Sequence, residues 1–336
     1  MKFEELGIVS RHPNNPVLQS SQVPYDSSLV FNAGVAKFNG KYVMAFRNDY
    51  GYTQEQYRRS PGPFRTCIGL AESDDGYGWT VVPEPVFDLR GGGFRRAYDP
   101  RLTVIGGRCY MCFAADTDNG TLGGIAVTDD MRHFEVLSYT EPDNRNMVLF
   151  PEKIGGSFVR LDRPMPVYSS GGGEYFSTWV SESPDLRFWG NSRCILSHRD
   201  IPQFCNCKTG PAAPPVKTGK GWLSTFHAVW KLPENDLASW EPGGWNKMYM
   251  AGIMLLDLDD PGKVLGIADR PLMFPKTEYE LEGFRGTTIF PGGMILEESG
   301  EVKFYYGASD TVECVATANV DELLKACLEH PARNSA

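Results

Sequence analysis

The segment RAYDPRLT, residues 96–103, contains an aspartate whose surroundings could support chemistry. Asp99 lies between two arginine-bearing flanks, follows Tyr98 and precedes Pro100. A carboxyl group held at the start of a strand could donate or accept a proton during a reaction. A surface turn would accept the same residue types without any function. The elements that position this residue must decide between the two interpretations.

Most of the chain consists of short β runs joined by glycine turns, and helical periodicity is confined to VDELLKACL at 320–328. Five hairpins follow one another, with turns at 39–40, 106–107, 155–156, 219–221 and 299–300. Asn-Gly and Gly-Gly turns are strong hairpin signals, because both positions need a positive φ. Each of the first three hairpins is followed by another strand and a similar acidic turn, namely AESDDGYGW, AVTDDMRHF and VSESPDLRFW.

Five such units predict an all-β fold, a five-bladed β-propeller with a short C-terminal helix. We expect a single domain over residues 1–336, closed by an N-terminal strand. Its blades should lie at roughly 31–90, 97–140, 146–197, 208–275 and 286–320. A two-sheet sandwich also uses many short strands, but it would not explain five matching units.

Composition excludes several classes of protein. Hydrophobic residues make up 41% of the 336 residues and charged residues 22%, as in soluble globular proteins. The net charge of −9 argues against a nucleic-acid partner, which needs a basic surface. The N-terminal MKFEELGIVSRHP lacks the apolar core of a signal peptide, and no apolar run is long enough to span a membrane. We therefore expect a cytoplasmic protein without a membrane partner.

The eight cysteines do not show the paired C-x-x-C spacing of a zinc site. Cys205 and Cys207, separated by one residue, are only a weak metal signal. We expect no metal and no organic cofactor. We also expect a homo-oligomer.

Polar residues recur at one end of the hairpins. In a propeller the first strand of each blade lines the channel, and the start of that strand shares a rim with the end of the second strand. Blade by blade, these positions hold Asn32, Arg47, Asn48 and Asp49; Asp99, Arg101 and Asp116; Arg145, Asn146 and Arg163; Lys208 and His227; and Asp310. Taken singly, each could be a solvated charge or a core residue. Their convergence suits a polyhydroxylated ligand together with an anion, because arginine binds phosphate oxygens in a bidentate manner.

Six motifs then occur in order: YDPR at 98–101, RNMVLFPEK at 145–153, LDRP at 161–164, GWL…FH at 221–227, LLDLDDPGKVL at 255–265 and YYGASDT at 305–311. Together they resemble glycoside hydrolase family 130, a family of five-bladed propellers dominated by β-mannoside phosphorylases. The resemblance extends from about residue 31 to residue 318.

The resemblance implies a role for each matched residue. The aspartate of the DPR motif is the catalytic acid of the family, and here it is Asp99. The family's phosphate-binding residues match Arg145, Arg163, Lys208 and His227. Residues expected to bind the mannoside are Asn32, Arg47, Asn48, Tyr98, Arg101, Asn146 and Asp310. Lys217 competes with Lys208 for its role, because CKTGPAAPPVKT departs from the glycine pattern common in relatives.

The same resemblance implies a hexosyltransferase reaction, the inverting phosphorolysis of β-1,4-mannooligosaccharides. An inverting glycosidase needs one acid for the leaving oxygen and one base to activate water. The rim offers one well-placed acid and a cationic group of residues where the base would be. Phosphate, the co-substrate, is already a nucleophile, and its attack would release α-D-mannose 1-phosphate and a shortened sugar. The resemblance further implies that the proton passes through the mannosyl 3-hydroxyl.

Several alternatives stay open. A mannosylglucose phosphorylase would differ only in the leaving sugar. A hydrolase of the same family would carry paired acids where this chain has bases. A furanosidase-type or sialidase-type propeller would need its own set of catalytic residues, and a sugar-binding propeller would lack a buried acid. The loops at 48–66 and 231–247 offer aromatic residues that could contact the leaving sugar or pack a subunit interface, among them Trp240 and Trp245, and the 165–175 loop is rich in glycine.

Overall fold

The computed structural model describes residues 3–331. Five antiparallel sheets follow one another along the chain as the blades of a five-bladed β-propeller. Strands account for 49% of the residues and helices for 7%, which confirms the predicted all-β class. No helix within this range is long and apolar enough to cross a membrane. The prediction of one domain over 1–336 includes termini that lie outside the described residues, and it stays a prediction.

The first strand, β1 (Ser10–Arg11), precedes the first blade. That blade contains β2 (Leu29–Phe38), β3 (Lys41–Tyr50), β4 (Arg65–Ser73) and β5 (Thr80–Val81). The second contains β6 (Phe94–Ile105), β7 (Arg108–Thr117), β8 (Gly120–Thr128) and β9 (Glu135–Tyr139). The third contains β10 (Asn144–Leu149), β11 (Phe158–Pro164), β12 (Thr178–Ser183) and β13 (Gly190–Leu196).

The fourth blade contains β14 (Thr209–Pro211), β15 (Val216–Thr218), β16 (Gly221–Lys231), β17 (Lys247–Leu256) and β18 (Val264–Ile267). The fifth contains β19 (Ile289–Leu296), β20 (Glu301–Ala308) and β21 (Val312–Asn319), with β1 on its outer edge. The helices are a 3-10 turn (Ser20–Gln22), α1 (Gln54–Arg59), α2 (Glu278–Leu281) and α3 (Val320–Leu328). The last of these is the predicted C-terminal helix.

Hairpin turns set the registers of the inner strands. Asn39 and Gly40 have φ of 51° and 79°, and the turns Gly106–Gly107 and Gly155–Gly156 likewise have positive φ at both positions. Such turns match the right-handed twist of the strands that they join. In the first blade the pairing begins at once after the turn, between Phe38 and Lys41.

The hydrophobic core lies between neighbouring blades. Ile68 of the first blade packs with Phe113 of the second, and Ile253 of the fourth packs with Phe304 of the fifth. Between the third and fourth blades, the rings of Phe150 and Trp222 meet edge to face with centroids 5.2 Å apart. Most residues of the inner strands are therefore buried between neighbouring sheets.

The N-terminal strand pairs with the fifth blade, and a buried ion pair ties it to α2, which precedes that blade. In β1, Ser10 and Arg11 pair with Thr317 and Ala316 of β21. The Arg11 Nε donates to the carboxylate of Glu280 at 2.7 Å, and the Tyr306 hydroxyl donates to the same carboxylate at 2.9 Å. Glu280 is fully buried, so that these donors must replace water around its charge.

We expect Arg11→Ala to lower the free energy of unfolding by about 3 kcal/mol, because the Glu280 carboxylate would stay buried without its cation. Urea unfolding followed by tryptophan fluorescence measures this change. Arg59→Ala is the matched control, since it removes an exposed pair with Glu55 and should cost less than about 0.5 kcal/mol. Equal losses in both variants would show that the Arg11–Glu280 pair does not secure β1.

Candidate active site

Three inner strands carry the same irregularity near one mouth of the channel. In β2, β6 and β10, two residues of the strand face a single residue of the second strand of the blade. The first residue of each bulge is Asn32, Asp99 or Asn146, with φ of 53°, 53° and 59°. Asparagine and aspartate tolerate this left-handed conformation better than most residues, and a bulge redirects the side chain. All three side chains line one cavity.

That cavity combines residues from all five blades. Seven of its lining residues were predicted from the sequence: Asn32, Arg47, Asp99, Arg145, Asn146, Arg163 and Asp310. Five others were not assigned to the site: Trp245, Tyr249, Arg285, Thr288 and Phe290. Trp245 had been considered only as an aromatic residue of the 231–247 loop. The predicted convergence on one rim therefore corresponds to a real cavity.

The carboxylate of Asp99 is surrounded by donors. Asn32 Nδ2 donates to its Oδ1 at 3.0 Å, and a terminal nitrogen of Arg47 lies 3.4 Å from the same oxygen. Burial alone would raise the pKa of Asp99, but Arg47, Arg101 and the Asn32 hydrogen bond outweigh it and lower the pKa. Protonation of Asp99 therefore requires that the positive charge around it be offset.

Arg47 is held in place before any ligand arrives. It makes a bidentate contact with Asp49, at 2.9 and 2.6 Å, and the Thr66 hydroxyl donates to Asp49 at 2.7 Å. Its guanidinium also lies over the rings of Phe31 and Tyr98, at 4.5 and 5.0 Å from their centroids. A guanidinium fixed on so many sides can orient a ligand at little further entropic cost.

Arg145 and Arg163 form the cationic side of the cavity. Arg145 donates to the Tyr98 hydroxyl at 3.2 Å, and Tyr98 in turn donates to Asp116 at 2.9 Å. The Nε atoms of both arginines are buried without a hydrogen-bond partner among residues 3–331. Burial, followed by repulsion from Arg145, lowers the pKa of Arg163 to about 9. Two buried like charges with unused donors are suited to bind an anion.

His227 supports Arg163 and does not line the cavity. A terminal nitrogen of Arg163 donates to His227 Nε2 at 2.9 Å. Burial and the nearby cations, first Arg163 and then Lys208, move the histidine pKa well below its usual value, so that the ring is neutral. With Nε2 accepting, the proton of the neutral ring belongs on Nδ1.

The close packing of Arg163 and His227 depends on a glycine. A Cβ atom on Gly210 would lie 2.6 Å from His227 Cε1 and 2.8 Å from Arg163 Cδ. Both distances are too short for carbon atoms, so any larger residue would displace the arginine or the histidine. Gly210 stands in CKTGPAAPP, the segment whose glycine pattern departs from that of relatives.

The structure favours Lys208 over Lys217 as the lysine of this site. Lys208 Nζ lies 5.9 Å from the ring centroid of Tyr249, which lines the cavity, and Lys208 is only 3% exposed. Lys217 pairs instead with Glu152 at 2.6 Å and is half exposed. It lies near the hairpin turn that precedes β16, whereas His227 lies six residues beyond the start of that strand.

Like His227 and Lys208, three further predicted residues lie outside the cavity lining. Tyr98 holds Arg145, as described above. Asn48 donates to the carbonyl oxygen of Asp26 at 2.9 Å. Arg101, 1% exposed, donates to the carbonyl oxygens of Ala212 at 2.8 Å and Asn32 at 2.9 Å, and so connects three blades across the channel.

Arg285 encloses the cavity next to Asp310. It contacts Glu241 at 2.8 Å and Asp310 at 3.7 Å, and its guanidinium lies 4.9 Å from the ring centroid of Trp245. Nothing in the sequence around FRGTT distinguishes this arginine from a surface charge. Tyr249 was missed for a similar reason, because it lies within an apolar strand.

The aromatic residues of the loops divide between packing and the cavity. Tyr57, Phe64, Phe284 and Trp240 form a small cluster, in which the Tyr57 and Phe64 rings stack at 5.1 Å and Trp240 meets Phe284 edge to face at 6.0 Å. Trp245 faces the cavity. Of the aromatic side chains predicted to contact a sugar, Trp245 therefore lines the cavity, whereas Tyr57 and Trp240 pack against other side chains.

The family model of glycoside hydrolase family 130, described as beta-1,4-mannooligosaccharide phosphorylase, matches residues 8–329. The chain belongs to glycoside hydrolase family 130. It is thereby a member of a family of mannoside phosphorylases, as the six sequence motifs predicted. The family's reaction is of the glycosyltransferase type.

Three curated relatives show how specificity varies among similar enzymes. This family 130 chain is 31% identical to a beta-1,2-mannobiose phosphorylase of Listeria innocua, over 94% of this chain and 97% of the relative. It is 26% identical to a beta-1,4-mannooligosaccharide phosphorylase of Ruminococcus albus, over 96% and 92%. It is 27% identical to a 4-O-beta-D-mannosyl-D-glucose phosphorylase of Bacteroides fragilis, over 97% and 86%.

The fold is shared with solved structures. The beta-1,2-mannobiose phosphorylase from Listeria innocua, solved with beta-1,2-mannobiose, superposes with a TM-score of 0.79 at 24% identity, over 95% of this chain and 99% of that one. This likeness establishes the architecture of the family 130 chain. Since the relatives differ in linkage and leaving sugar, membership of the family leaves the specificity open.

Asp310 should destabilise the family 130 enzyme at neutral pH. Burial raises the pKa of Asp310 to about 6, although Arg285 and Arg47 act in the opposite direction. An unfolded aspartate titrates near 3.8, so the folded state binds the additional proton between these two values. The stability that protonation confers is present at low pH and is lost as the pH rises through 6.

We therefore expect Asp310→Asn to be more stable than the wild type at pH 7.5, by on the order of 1–3 kcal/mol. The difference should shrink towards pH 4.5. Urea unfolding at several pH values measures it, and Asp74→Asn, at an exposed aspartate, should show no such trend. If the difference in unfolding free energy between the two proteins did not change with pH, folding would not raise the pKa of Asp310.

Proposed function

We propose that this family 130 enzyme catalyses the inverting phosphorolysis of β-1,4-mannooligosaccharides, releasing α-D-mannose 1-phosphate and a shortened sugar. The observation that carries the proposal is the pair of guanidinium groups of Arg145 and Arg163, two cations that line the same cavity as Asp99. A hydrolase would need a carboxylate to activate water at the side that these cations occupy. Phosphate supplies the nucleophile without one.

Phosphate would be held by Arg145 and Arg163, with Lys208 beside them and His227 orienting Arg163. Guanidinium groups bind phosphate oxygens through paired, charge-assisted hydrogen bonds. A phosphate dianion bound in this way would have lost its solvent shell, and one of its oxygens could be positioned for attack on the anomeric carbon of a mannosyl group. Inversion at that carbon yields the α-linked sugar phosphate.

Asp99 would be the general acid. In the described arrangement its pKa is lowered by the surrounding cations, so a proton is not favoured on Asp99 alone. A bound phosphate dianion offsets that positive charge and favours the protonated carboxyl. Phosphate binding would thus prepare both the nucleophile and the acid. The proton would reach the leaving oxygen by way of the mannosyl 3-hydroxyl.

The mannosyl ring would lie among the polar residues on the acidic side of the cavity, namely Asn32, Arg47, Asn146 and Asp310. A fixed guanidinium can donate hydrogen bonds to the hydroxyl groups of a sugar, and a carboxylate can accept hydrogen bonds from them. Trp245 and Arg285 enclose the same side.

Other properties of the proposal rest on the sequence. Inorganic phosphate would be the co-substrate, with no organic cofactor and no metal. We retain the predictions of a single domain, a cytoplasmic location, a homo-oligomeric state and the absence of nucleic-acid and membrane partners.

A second linkage has support of its own. The relative that is 31% identical to this chain is a beta-1,2-mannobiose phosphorylase, which favours β-1,2-linked mannobiose as the second candidate. Mannosylglucose is a further candidate through the Bacteroides fragilis relative. These substrates share the mannosyl group and differ only in the leaving sugar or its attachment.

The test compares kcat/KM for β-1,4-mannobiose, β-1,4-mannotriose, β-1,2-mannobiose and mannosylglucose at saturating phosphate. We expect the two β-1,4-mannooligosaccharides to be the best substrates, and NMR to identify the product as the α anomer of mannose 1-phosphate. Preference for another disaccharide would replace the proposed linkage and leave phosphorolysis standing. Rapid release of free mannose without phosphate would refute phosphorolysis itself.

We expect Asp99→Asn to fold normally and to lose at least about 100-fold in kcat, because the amide cannot donate the proton that the leaving oxygen requires. Initial rates of mannose 1-phosphate formation measure the loss. Asp118→Asn, which alters an exposed aspartate in the same blade, should change kcat less than about twofold. Near-normal turnover by Asp99→Asn would remove Asp99 from the mechanism.

A further inference from the structure

Glu174 bridges two lysines at the edge of the cationic region. Its Oε1 accepts a hydrogen bond from Lys208 Nζ at 2.9 Å, and its Oε2 lies 2.6 Å from Lys247 Nζ. The carboxylate is about one-third exposed, whereas Lys208 is almost completely buried. Glu174 is thus the anion that balances a lysine expected to contact phosphate.

Both lysines lie beside the walls of the cavity. Lys208 Nζ is 5.9 Å from the ring centroid of Tyr249, and Lys247 Nζ is 5.5 Å from that of Trp245. Burial would raise the pKa of Glu174, but Lys208 and the hydrogen bond from Lys247 outweigh it and lower the pKa to about 2. The carboxylate is therefore charged at any pH at which the enzyme would work.

The backbone around Glu174 is anchored independently of its carboxylate. Its main-chain oxygen accepts a hydrogen bond from the Cys207 thiol at 3.5 Å, and the Phe176 carbonyl oxygen accepts one from the amide of Thr209 at 3.0 Å. The preceding residues, 165–173, hydrogen-bond mainly among themselves in tight turns. The side chain contributes only its contacts with the two lysines.

We propose that Glu174 is an internal competitor of phosphate, whose carboxylate pairs with Lys208 and Lys247 and is displaced from Lys208 when phosphate binds. This inference rests on the proposed function, because it takes Lys208 to be part of the phosphate site. A carboxylate and a phosphate oxyanion compete for the same ammonium donors and repel each other. Glu174 would therefore weaken phosphate binding and couple the 165–175 loop to it.

A positioning role for Glu174 would change the phosphate affinity of a Glu174 variant in the opposite direction. If Glu174 served to position Lys208 for phosphate, its removal would weaken phosphate binding. If it competes, its removal leaves Lys208 in place with one repulsive charge fewer, and phosphate binds more tightly. Glu174→Gln keeps the size of the side chain and removes the charge, so the sign of the change separates the two roles.

The experiment measures the dissociation constant of inorganic phosphate by titration calorimetry for the wild type, Glu174→Gln and Glu152→Gln. We expect Glu174→Gln to bind phosphate about three- to tenfold more tightly, the scale of removing one nearby charge at a partly screened site. Glu152→Gln is the matched control, since it breaks the Lys217–Glu152 pair elsewhere in the protein and should leave the constant unchanged. In phosphorolysis, the KM for phosphate should fall by the same factor, and the KM for the mannoside should not change.

Unchanged or weaker phosphate binding by Glu174→Gln would overturn the inference, even if the wild type proved to be an active phosphorylase. Conversely, tighter binding by Glu174→Gln in a protein that forms no mannose 1-phosphate from any mannoside would support the inference and refute the proposed function. Failure of all three proteins to bind phosphate would overturn both.

Discussion

The arrangement of this molecule depends on burying two like-charged guanidinium groups side by side. Arg145 and Arg163 lie at the channel mouth with unpaired Nε atoms, and the pKa of Arg163 falls to about 9 because burial and its neighbour disfavour its charge. At Arg145, burial is outweighed by Tyr98 and Asp99, which raise the pKa, so Arg163 carries the less compensated charge. Burying such a charge costs several kcal/mol in real proteins. Only a scaffold with a large core can tolerate such a site, and here the apolar packing between the blades supplies that stability. A bound anion would remove the repulsion, so the instability of the unliganded site would become affinity for the phosphate that we propose as co-substrate.

The same scaffold determines where the acid stands relative to those cations. Bulges in three inner strands turn Asn32, Asp99 and Asn146 into the cavity through left-handed backbone conformations. These conformations are themselves held by buried contacts, since the amide of Ala33, in the first bulge, donates to Glu313 at 3.1 Å. Arg101 adds hydrogen bonds across the channel. Strained backbone at a functional site persists only when its surroundings enforce it, and here these contacts do so.

Much of this architecture could be predicted from the sequence, because hairpin turns are local signals. Asn39–Gly40 and the two Gly-Gly turns specify where strands reverse, and repetition of the units specifies a propeller. Cavity residues that end a strand, such as Arg47 and Arg163, could also be found, since strand polarity alone places them on one rim. Family membership was accessible because its motifs are contiguous stretches of sequence.

The remainder depends on contacts between distant parts of the chain. Arg285 belongs to the cavity only because the 231–247 loop brings Trp245 against it, and no local pattern encodes that approach. His227 could be assigned to the cationic group, but its neutral state and its support of Arg163 follow from burial that only the packed fold shows. Lys208 and Lys217 could not be separated by spacing, because their difference lies in which carboxylate each one meets.

The charges of the site also explain why one substrate should prepare the other. Asp99 and Asp310 share Arg47 as a neighbour, yet the pKa of Asp99 is lowered whereas that of Asp310 is raised to about 6. Asp99 differs in that Arg101, the Asn32 hydrogen bond and, as the smallest of these, Arg145 act on it as well, so part of what keeps it ionised comes from the cationic side of the cavity. Phosphate at Arg145 and Arg163 would cancel that influence and bring Asp99 closer to the protonated state that a general acid needs. The same cations would thereby bind the nucleophile and switch the acid, which makes a second catalytic carboxylate unnecessary.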